Sequence, residues 1–123
     1  MAENSLARSI FEVDGRDLFV EAERRGGDLL VVLGTASCGA CKRLWRLLET
    51  LQPGQVGGGD FAVADVEATH AMGLVEDWEV FHLPAMMLLR DGEPWARVQA
   101  PLEQVALGRA IRTARSGELD PNI

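Results

Sequence analysis

The stretch Val31–Leu51, VVLGTASCGACKRLWRLLETL, changes its pattern at Gly34 and contains both cysteines of the chain. Before the glycine the sequence is a continuous apolar run, which predicts a central strand that is covered on both faces. From Gly39 onward, apolar residues recur at helical spacing and charged residues occupy the other side. The stretch therefore predicts a strand followed by an amphipathic helix, with Cys38 and Cys41 where the strand gives way to the helix.

The rest of the chain continues this alternation of strands and helices, and Asp91-Gly92 marks a hairpin turn. Alternating helices and strands imply right-handed crossovers and a sheet covered on both faces, and the closing hairpin makes the sheet mixed. The sequence therefore predicts an α/β fold, a three-layer α/β/α sandwich of about five strands and four helices. A flexible connector is expected at Gly57–Gly59. The predicted elements are, in order, a strand at 9–13, a helix at 16–25, a strand at 29–33, a helix at 39–51, a strand at 60–66, a helix at 69–78, strands at 84–89 and 95–100, and a helix at 102–115.

Length and composition are those of one globular domain. The chain has 123 residues, of which 47% are hydrophobic and 25% charged. We therefore predict a single domain over residues 1–123, with a core at about 9–115 and flexible ends at 1–6 and 117–123. The formal net charge of −7 gives the protein no electrostatic reason to bind nucleic acid or an anionic membrane.

Targeting signals are not recognisable in the sequence. No apolar segment approaches the ~20 residues that cross a bilayer. The N-terminus, MAENSLARSIFEV, lacks the basic start and apolar stretch of a secretory signal. We therefore expect a cytoplasmic protein with reduced cysteines, and we expect it to be a monomer.

The start of the predicted helix gives the two cysteines different chemistry. Cys38 falls just before the helix, where backbone N–H groups lack intrahelical partners and the helix dipole adds partial positive charge. A thiolate is stabilised there, so the pKa of Cys38 should lie below the ordinary value of about 8.5. Cys41 falls on the apolar stripe of the helix and should be buried. One accessible thiolate and one protected thiol are what thiol–disulfide exchange needs.

Two other interpretations of the cysteine pair stay open from the residues alone. A structural zinc site normally has four ligands, and the only histidines, His70 and His82, do not follow the cysteines at zinc-finger spacing. The second alternative is a pair of packed thiols without a catalytic role. The strand–helix junction favours the redox interpretation, which implies no metal and no bound organic cofactor.

The element order, the CGAC motif at 38–41 and the segment HLPAMMLLRDGEPWARVQA at 82–100 resemble the thioredoxin family. The likeness covers roughly residues 9–115. It implies a thioredoxin-like fold in which Pro84 is cis and faces the cysteine pair. It also implies a groove where an extended substrate strand pairs with the backbone, and the residues it assigns to substrate binding are Ser37, Gly39, Ala40, Leu83 and Pro84.

Several positions depart from the family's pattern. A tryptophan usually precedes the first cysteine and a proline the second, whereas this chain has Ser37 and Ala40. The buried acid beneath the resolving cysteine falls at Val32 and its lysine partner near Val63, so the usual proton acceptor should be missing. His82 replaces a small residue two positions before the proline and is a candidate modulator of the thiols, because imidazole exchanges protons near neutral pH.

The leading hypothesis is a thiol–disulfide oxidoreductase that reduces or exchanges protein disulfides. Cys38 attacks a disulfide of a protein substrate, Cys41 resolves the mixed disulfide, and an upstream thiol reductant or reductase reopens the resulting bridge. The alternative is a thioredoxin-fold binding or chaperone-like module dedicated to one partner with little turnover, which the departures favour. A thiol peroxidase on the same fold is a third hypothesis that Thr35 permits, although the second cysteine fits disulfide exchange better.

The remaining conspicuous residues are interpreted as structural. Asp65 and Glu67, at the end of the third predicted strand, are expected to be solvated loop charges. His70 is expected on the surface. Trp45 is expected at the core or its boundary, and Trp78 in the core.

Overall fold

A mixed sheet of five strands forms the middle layer of the protein in the computed structural model, which describes residues 5–123. The strands are β1 (Ile10–Glu12), β2 (Asp28–Gly34), β3 (Phe61–Glu67), β4 (Ala85–Arg90) and β5 (Glu93–Val98). They follow the order β1-β3-β2-β4-β5 across the sheet. β1 and β2 lie parallel to β3, whereas β4 is antiparallel to both β2 and β5. The sheet is therefore mixed, as the closing hairpin predicts.

Helices cover both faces of this sheet. They are α1 (Leu18–Arg25), α2 (Gly39–Thr50), α3 (Met72–Asp77) and α4 (Gln104–Ser116). α2 and α4 share one apolar core with alternate strand residues such as Leu30, and α1 and α3 share the other core with residues such as Val31. The central strand β2 contributes to both cores, as its uninterrupted apolar sequence predicts. The predicted three-layer α/β/α sandwich is confirmed.

The first helix begins two residues later than its sequence pattern predicts. It was expected at 16–25 and begins at Leu18. The Asp14 carboxylate accepts the backbone N–H of Arg16 at 2.9 Å, which holds the preceding residues in a turn. The side-chain hydrogen bond therefore competes with helix formation at this end.

The third helix is shorter than the range 69–78 that was predicted. A 3₁₀ turn, Ala68–His70, comes first, and the Glu67 side chain caps it at the backbone N–H of Thr69. Ala71, which follows the turn, has φ −138°, outside the helical region. The apolar spacing continues across this break, so periodicity alone does not detect it.

The loop between α2 and β3 has a defined conformation rather than the flexible connector that was predicted. It contains a 3₁₀ turn, Pro53–Val56, with a reciprocal capping box between Gln52 and Gln55. Gly57–Gly59 have φ values of 99°, 65° and 67°, in a region that side chains disfavour. A Cβ at the first of these glycines would lie 3.2 Å from Nη1 of Arg115, so Gly57 packs against α4.

Both ends of the described chain make contacts beyond the predicted core. Leu6 is only 2% exposed, and its backbone N–H donates to the Leu51 carbonyl at 2.9 Å. At the other end, the Trp95 indole donates to the Gly117 carbonyl at 3.2 Å, and the Asp120 N–H donates to the Trp95 carbonyl at 2.9 Å. The predicted flexibility of residues 1–4 lies outside the described residues.

An ion-pair cluster ties the amino end of β2 to β4 and α4. Asp28 accepts a bond from Arg90 Nε at 2.8 Å and one from Arg115 Nε at 2.8 Å. Burial alone would raise the pKa of Asp28, but the two guanidinium groups outweigh burial and hold this pKa below its ordinary value. Arg115 also donates to the Val56 carbonyl. The cluster therefore stabilises the end of the sheet that lies opposite the carboxyl end of β2.

Within residues 5–123, none of the helices combines the length and the apolar character that crossing a membrane requires.

Candidate dithiol site

The two cysteines lie at the carboxyl end of β2, where the chain enters α2. Cys38 is the N-cap residue of α2, with extended backbone angles of φ −86° and ψ 116°. Its Sγ accepts the backbone N–H of Cys41 at 3.1 Å, and its carbonyl accepts the N–H of Lys42 at 3.1 Å. The sulfur thus occupies the place that a side-chain oxygen usually takes at a helix start.

Hydrogen bonds hold the pKa of Cys38 below its ordinary value. The largest effect comes from the Cys41 thiol, the next from the Cys41 backbone N–H, and a smaller one from the Ala40 N–H, while burial opposes them. Donors aimed at a sulfur favour its anion over its neutral form. Since Cys38 is only half-buried, this thiolate can reach a second molecule.

Cys41 has the opposite environment. It is 1% exposed, and its Sγ packs against the end of β2, where a Cβ at Gly34 would lie 3.0 Å away. Burial first, and then the hydrogen bond to Cys38, raise the pKa of Cys41 to about 11. Cys41 is therefore a protonated and shielded thiol directly beneath a more acidic one.

The loop before β4 forms the other wall of the site. The Leu83–Pro84 peptide bond is cis, as the resemblance implied. The Leu83 carbonyl oxygen lies 3.8 Å from the Sγ of Cys38, from which it accepts a weak hydrogen bond. The fold therefore places the proline loop, which contains Leu83 and Pro84, next to Cys38, although 45 positions of the chain separate Leu83 from Cys38.

The other predicted site residues surround these two walls. Those exposed are Ser37, Gly39 and His82, and those half-buried are Ala40, Leu83 and Pro84. His82 and Pro84 line the same surface depression. Among the described residues, His82 forms no hydrogen bond with either thiol, so its role as a modulator stays a prediction.

The interior behind the site is apolar where the family pattern places an ion pair. Val32 and Val63 are both fully buried and belong to the core shared with α2. Neither residue can accept a proton. Within residues 5–123, no group of three or more histidine, cysteine, aspartate or glutamate side chains is arranged to hold a metal ion.

The expectation that Asp65 and Glu67 are solvated loop charges is wrong. Both residues lie within β3 rather than in a loop, and both are half-buried. Burial first, and then the nearby charges of Glu12 and Glu67, raise the pKa of Asp65. The signal was present in the strand FAVADVE, since strict alternation places Asp65 on the same face as the buried Val63.

Because the pKa of Cys38 is lowered and that of Cys41 is raised, we expect iodoacetamide to label the two cysteines at different pH values. In the folded, reduced protein, Cys38 should react with a midpoint below that of the unfolded chain, because hydrogen bonds stabilise its thiolate. Cys41 should stay unlabelled near neutral pH, since burial raises its pKa to about 11. Peptide mass spectrometry over a pH series measures both midpoints.

A Cys41→Ala variant is the matched control for this labelling experiment. Because the Cys41 thiol is the largest cause of the lowered pKa, its removal should move the Cys38 midpoint upward. Labelling of Cys41 before Cys38, or a Cys38 midpoint unchanged by unfolding, would contradict the assignment of the two sulfurs.

The fold and the two sulfurs define a three-layer α/β protein with a CxxC dithiol at a helix start. The model of the family described as Thioredoxin matches residues 16–113. The chain therefore belongs to the thioredoxin family. This arrangement is consistent with thiol–disulfide exchange in general.

Solved structures share this fold. A point mutant of the thioredoxin from Halobacterium salinarum NRC-1 is 24% identical, with a TM-score of 0.70 over 95% of this chain and 97% of that chain. Mitochondrial thioredoxin 3 from Saccharomyces cerevisiae, in its oxidized form, is 18% identical, with a TM-score of 0.67 over 88% of this chain and 98% of that chain. Zinc-bound human ERp44 is 14% identical, with a TM-score of 0.66 over 87% of this chain and 31% of that chain. No curated protein sequence matched the chain.

Proposed function

We propose that the protein is a thiol–disulfide oxidoreductase that reduces or exchanges disulfides of other proteins in the cytoplasm. The observation that carries this proposal is the contrast between the two sulfurs. Cys38 is accessible and its pKa is lowered, whereas Cys41 is 1% exposed and its pKa is raised to about 11. Two packed thiols without a catalytic role would not require this difference in exposure and pKa.

The reaction proceeds in two exchange steps. The Cys38 thiolate attacks one sulfur of the substrate disulfide, and the other substrate sulfur leaves as a thiolate with the electron pair of the broken bond. Cys41 then loses its proton and attacks Cys38 Sγ, which releases the second substrate sulfur and forms the Cys38–Cys41 disulfide. The substrate gains two electrons and the protein loses two. An upstream thiol reductant or reductase returns them.

The substrate binds as an extended segment beside the proline loop. The Leu83 carbonyl lies 3.8 Å from the Cys38 sulfur, so a strand paired with this backbone would have its disulfide at the thiolate. Main-chain pairing of this kind depends little on the substrate's sequence. Phe81 and Met72, which are 84% and 56% exposed, line a depression next to Leu83 and favour apolar substrate side chains.

Insulin reduction with dithiothreitol as the electron source tests the proposal. The reduced protein should accelerate the precipitation of the insulin B chain above the rate with dithiothreitol alone. Protein whose Cys38 has first been blocked with iodoacetamide is the control and should give no acceleration. Equal rates with active and blocked protein, at every protein concentration, would overturn the proposal.

A binding module with little turnover is the second candidate. Val32 and Val63 favour the binding module, because both are apolar and neither position supplies an ionisable group behind the dithiol. In that case a partner would bind the groove without exchanging sulfur. Capture of the same partner by wild type and by a Cys38→Ser/Cys41→Ser variant would support this function over the first.

A further inference from the structure

The resolving step creates a chemical requirement that the dithiol cannot meet alone. Cys41 is buried and its pKa is raised to about 11, so at neutral pH it holds a proton that it must lose before it attacks. The strand position behind it, Val32, is apolar. A base must therefore lie elsewhere, or the step depends on hydroxide and water alone.

The sheet register places one carboxylate on the correct face. Val32 of β2 is paired with Asp65 of β3, and residues paired in this way project to the same side of a sheet. Val32 faces the core shared with α2, so Asp65 faces α2 as well. α2 is also the helix that carries Cys41.

Asp65 lines a cleft of about 660 Å³. Cys41 itself does not line the cleft, but Gly34 and Thr35 do, and both of these residues lie against the Cys41 sulfur. The Cα atoms of Gly34 and Asp65 are about 8 Å apart, from two residues of rise at about 3.3 Å and one strand spacing of about 4.8 Å. Among the described residues, neither hydrogen bond made by a thiol involves Asp65, so a proton transfer between Cys41 and Asp65 would need water between them.

The charges around Asp65 suit a proton acceptor. Within residues 5–123, its carboxylate forms no ion pair. The titratable groups that face the same cleft are, by element, Glu12 of β1, Asp14 after it, Lys42 of α2, Glu67 of β3 and His70 after it. Burial and the two glutamates raise the pKa of Asp65, which makes its carboxylate a stronger base than an ordinary aspartate.

We propose that Asp65 accepts the proton of Cys41, through water in the cleft, when Cys41 resolves the mixed disulfide. This inference rests on the proposed function. The Cys41 thiol gives its proton to water and water gives one to the Asp65 carboxylate. The Cys41 sulfur then bonds to Cys38, the substrate sulfur leaves with the electron pair of the old bond, and the proton on Asp65 passes to solvent or to the departing thiolate. Asp65 does not contact Cys41 in this step and acts on it only through water.

Stopped-flow reaction with 5,5′-dithiobis(2-nitrobenzoate) separates the two steps. Attack by Cys38 releases the first coloured thiolate, and resolution by Cys41 releases the second. An Asp65→Asn variant should keep the first rate and lose about 100-fold in the second at pH 7, the lower end of what a positioned acid or base contributes. Asp65→Glu should restore part of the second rate.

The pH profile distinguishes proton transfer from a structural effect. In wild type, the second rate should fall as the pH falls through the raised pKa of Asp65, because the carboxylate becomes protonated. In Asp65→Asn this part of the pH profile should disappear, and the second rate should instead increase in proportion to the hydroxide concentration. Asp14→Asn is the matched control, since it removes a charge from the same cleft but not one of the charges that raise the pKa of Asp65, and its second rate should stay within about twofold of wild type.

Three results would overturn the role of Asp65. They are an unchanged second rate in Asp65→Asn from pH 5 to 9, an equal slowing of both phases, and a slowing by Asp14→Asn as large as that by Asp65→Asn. If wild type gives no first phase at Cys38, the proposed function itself fails. The two failures are therefore distinguishable in one experiment.

Discussion

A Cys38→Ser variant is expected to reduce insulin no faster than dithiothreitol alone. Serine can cap α2 in the same place, so the fold should persist. A hydroxyl stays protonated at neutral pH and does not attack a disulfide, so the first exchange step cannot occur. The measurement is insulin precipitation at matched protein concentrations, with circular dichroism to verify the fold.

Cys41→Ser is the matched variant and should fail at a different step. Its Cys38 still attacks, but no second sulfur lies beneath it to resolve the product. A mixed disulfide should accumulate and appear as a band that disappears on reduction. If Cys38→Ser retains turnover, or if Cys41→Ser accumulates no mixed disulfide, the assignment of attacking and resolving sulfurs is wrong.

Truncation of Leu48 to alanine is expected to cost about 2–5 kcal/mol of unfolding free energy. Leu48 is 0% exposed and lies in the core that α2 shares with α4 and the sheet. Its removal takes apolar area from that core and leaves a cavity beneath the helix whose start carries Cys38. Urea unfolding monitored by tryptophan fluorescence measures the loss.

Leu119→Ala provides the control for this measurement. Leu119 is 53% exposed, so the same chemical change should alter the unfolding free energy by at most about 0.5 kcal/mol. A loss in Leu48→Ala no larger than that in Leu119→Ala would contradict the packing of α2 described above.

Local pattern was sufficient for the elements that build the site. The apolar run of β2 and the helical spacing after Gly39 predict both elements, and their junction places Cys38 at the N-cap. These features depend on neighbours within a few residues, so the sequence expresses them directly. The start of α3 did not follow the pattern because Glu67 and Ala71 form a local turn that apolar spacing does not reveal.

Contacts between distant residues needed more than local pattern. The approach of Leu83 to Cys38 joins positions 45 residues apart, and it was expected only through the resemblance to the thioredoxin family. The environment of Asp65 depends on α2 and β1, whose residues line the same cleft from elsewhere in the chain. The alternation within β3 indicated its face, but the neighbours that enclose it are a property of the tertiary structure.

The anchored tail beyond α4 has a practical consequence. Gly117 and Asp120 are held at Trp95, whose ring lies 4.5 Å from the guanidinium of Arg90 at the edge of the sheet that Asp28 occupies. β2 spans about 20 Å from that edge to the dithiol, at about 3.3 Å per residue. A resin or sensor surface coupled through this tail would hold the protein by its far pole and leave the reactive sulfur facing the solution. Immobilised Cys41→Ser protein can therefore serve as bait for covalent capture without the support blocking access.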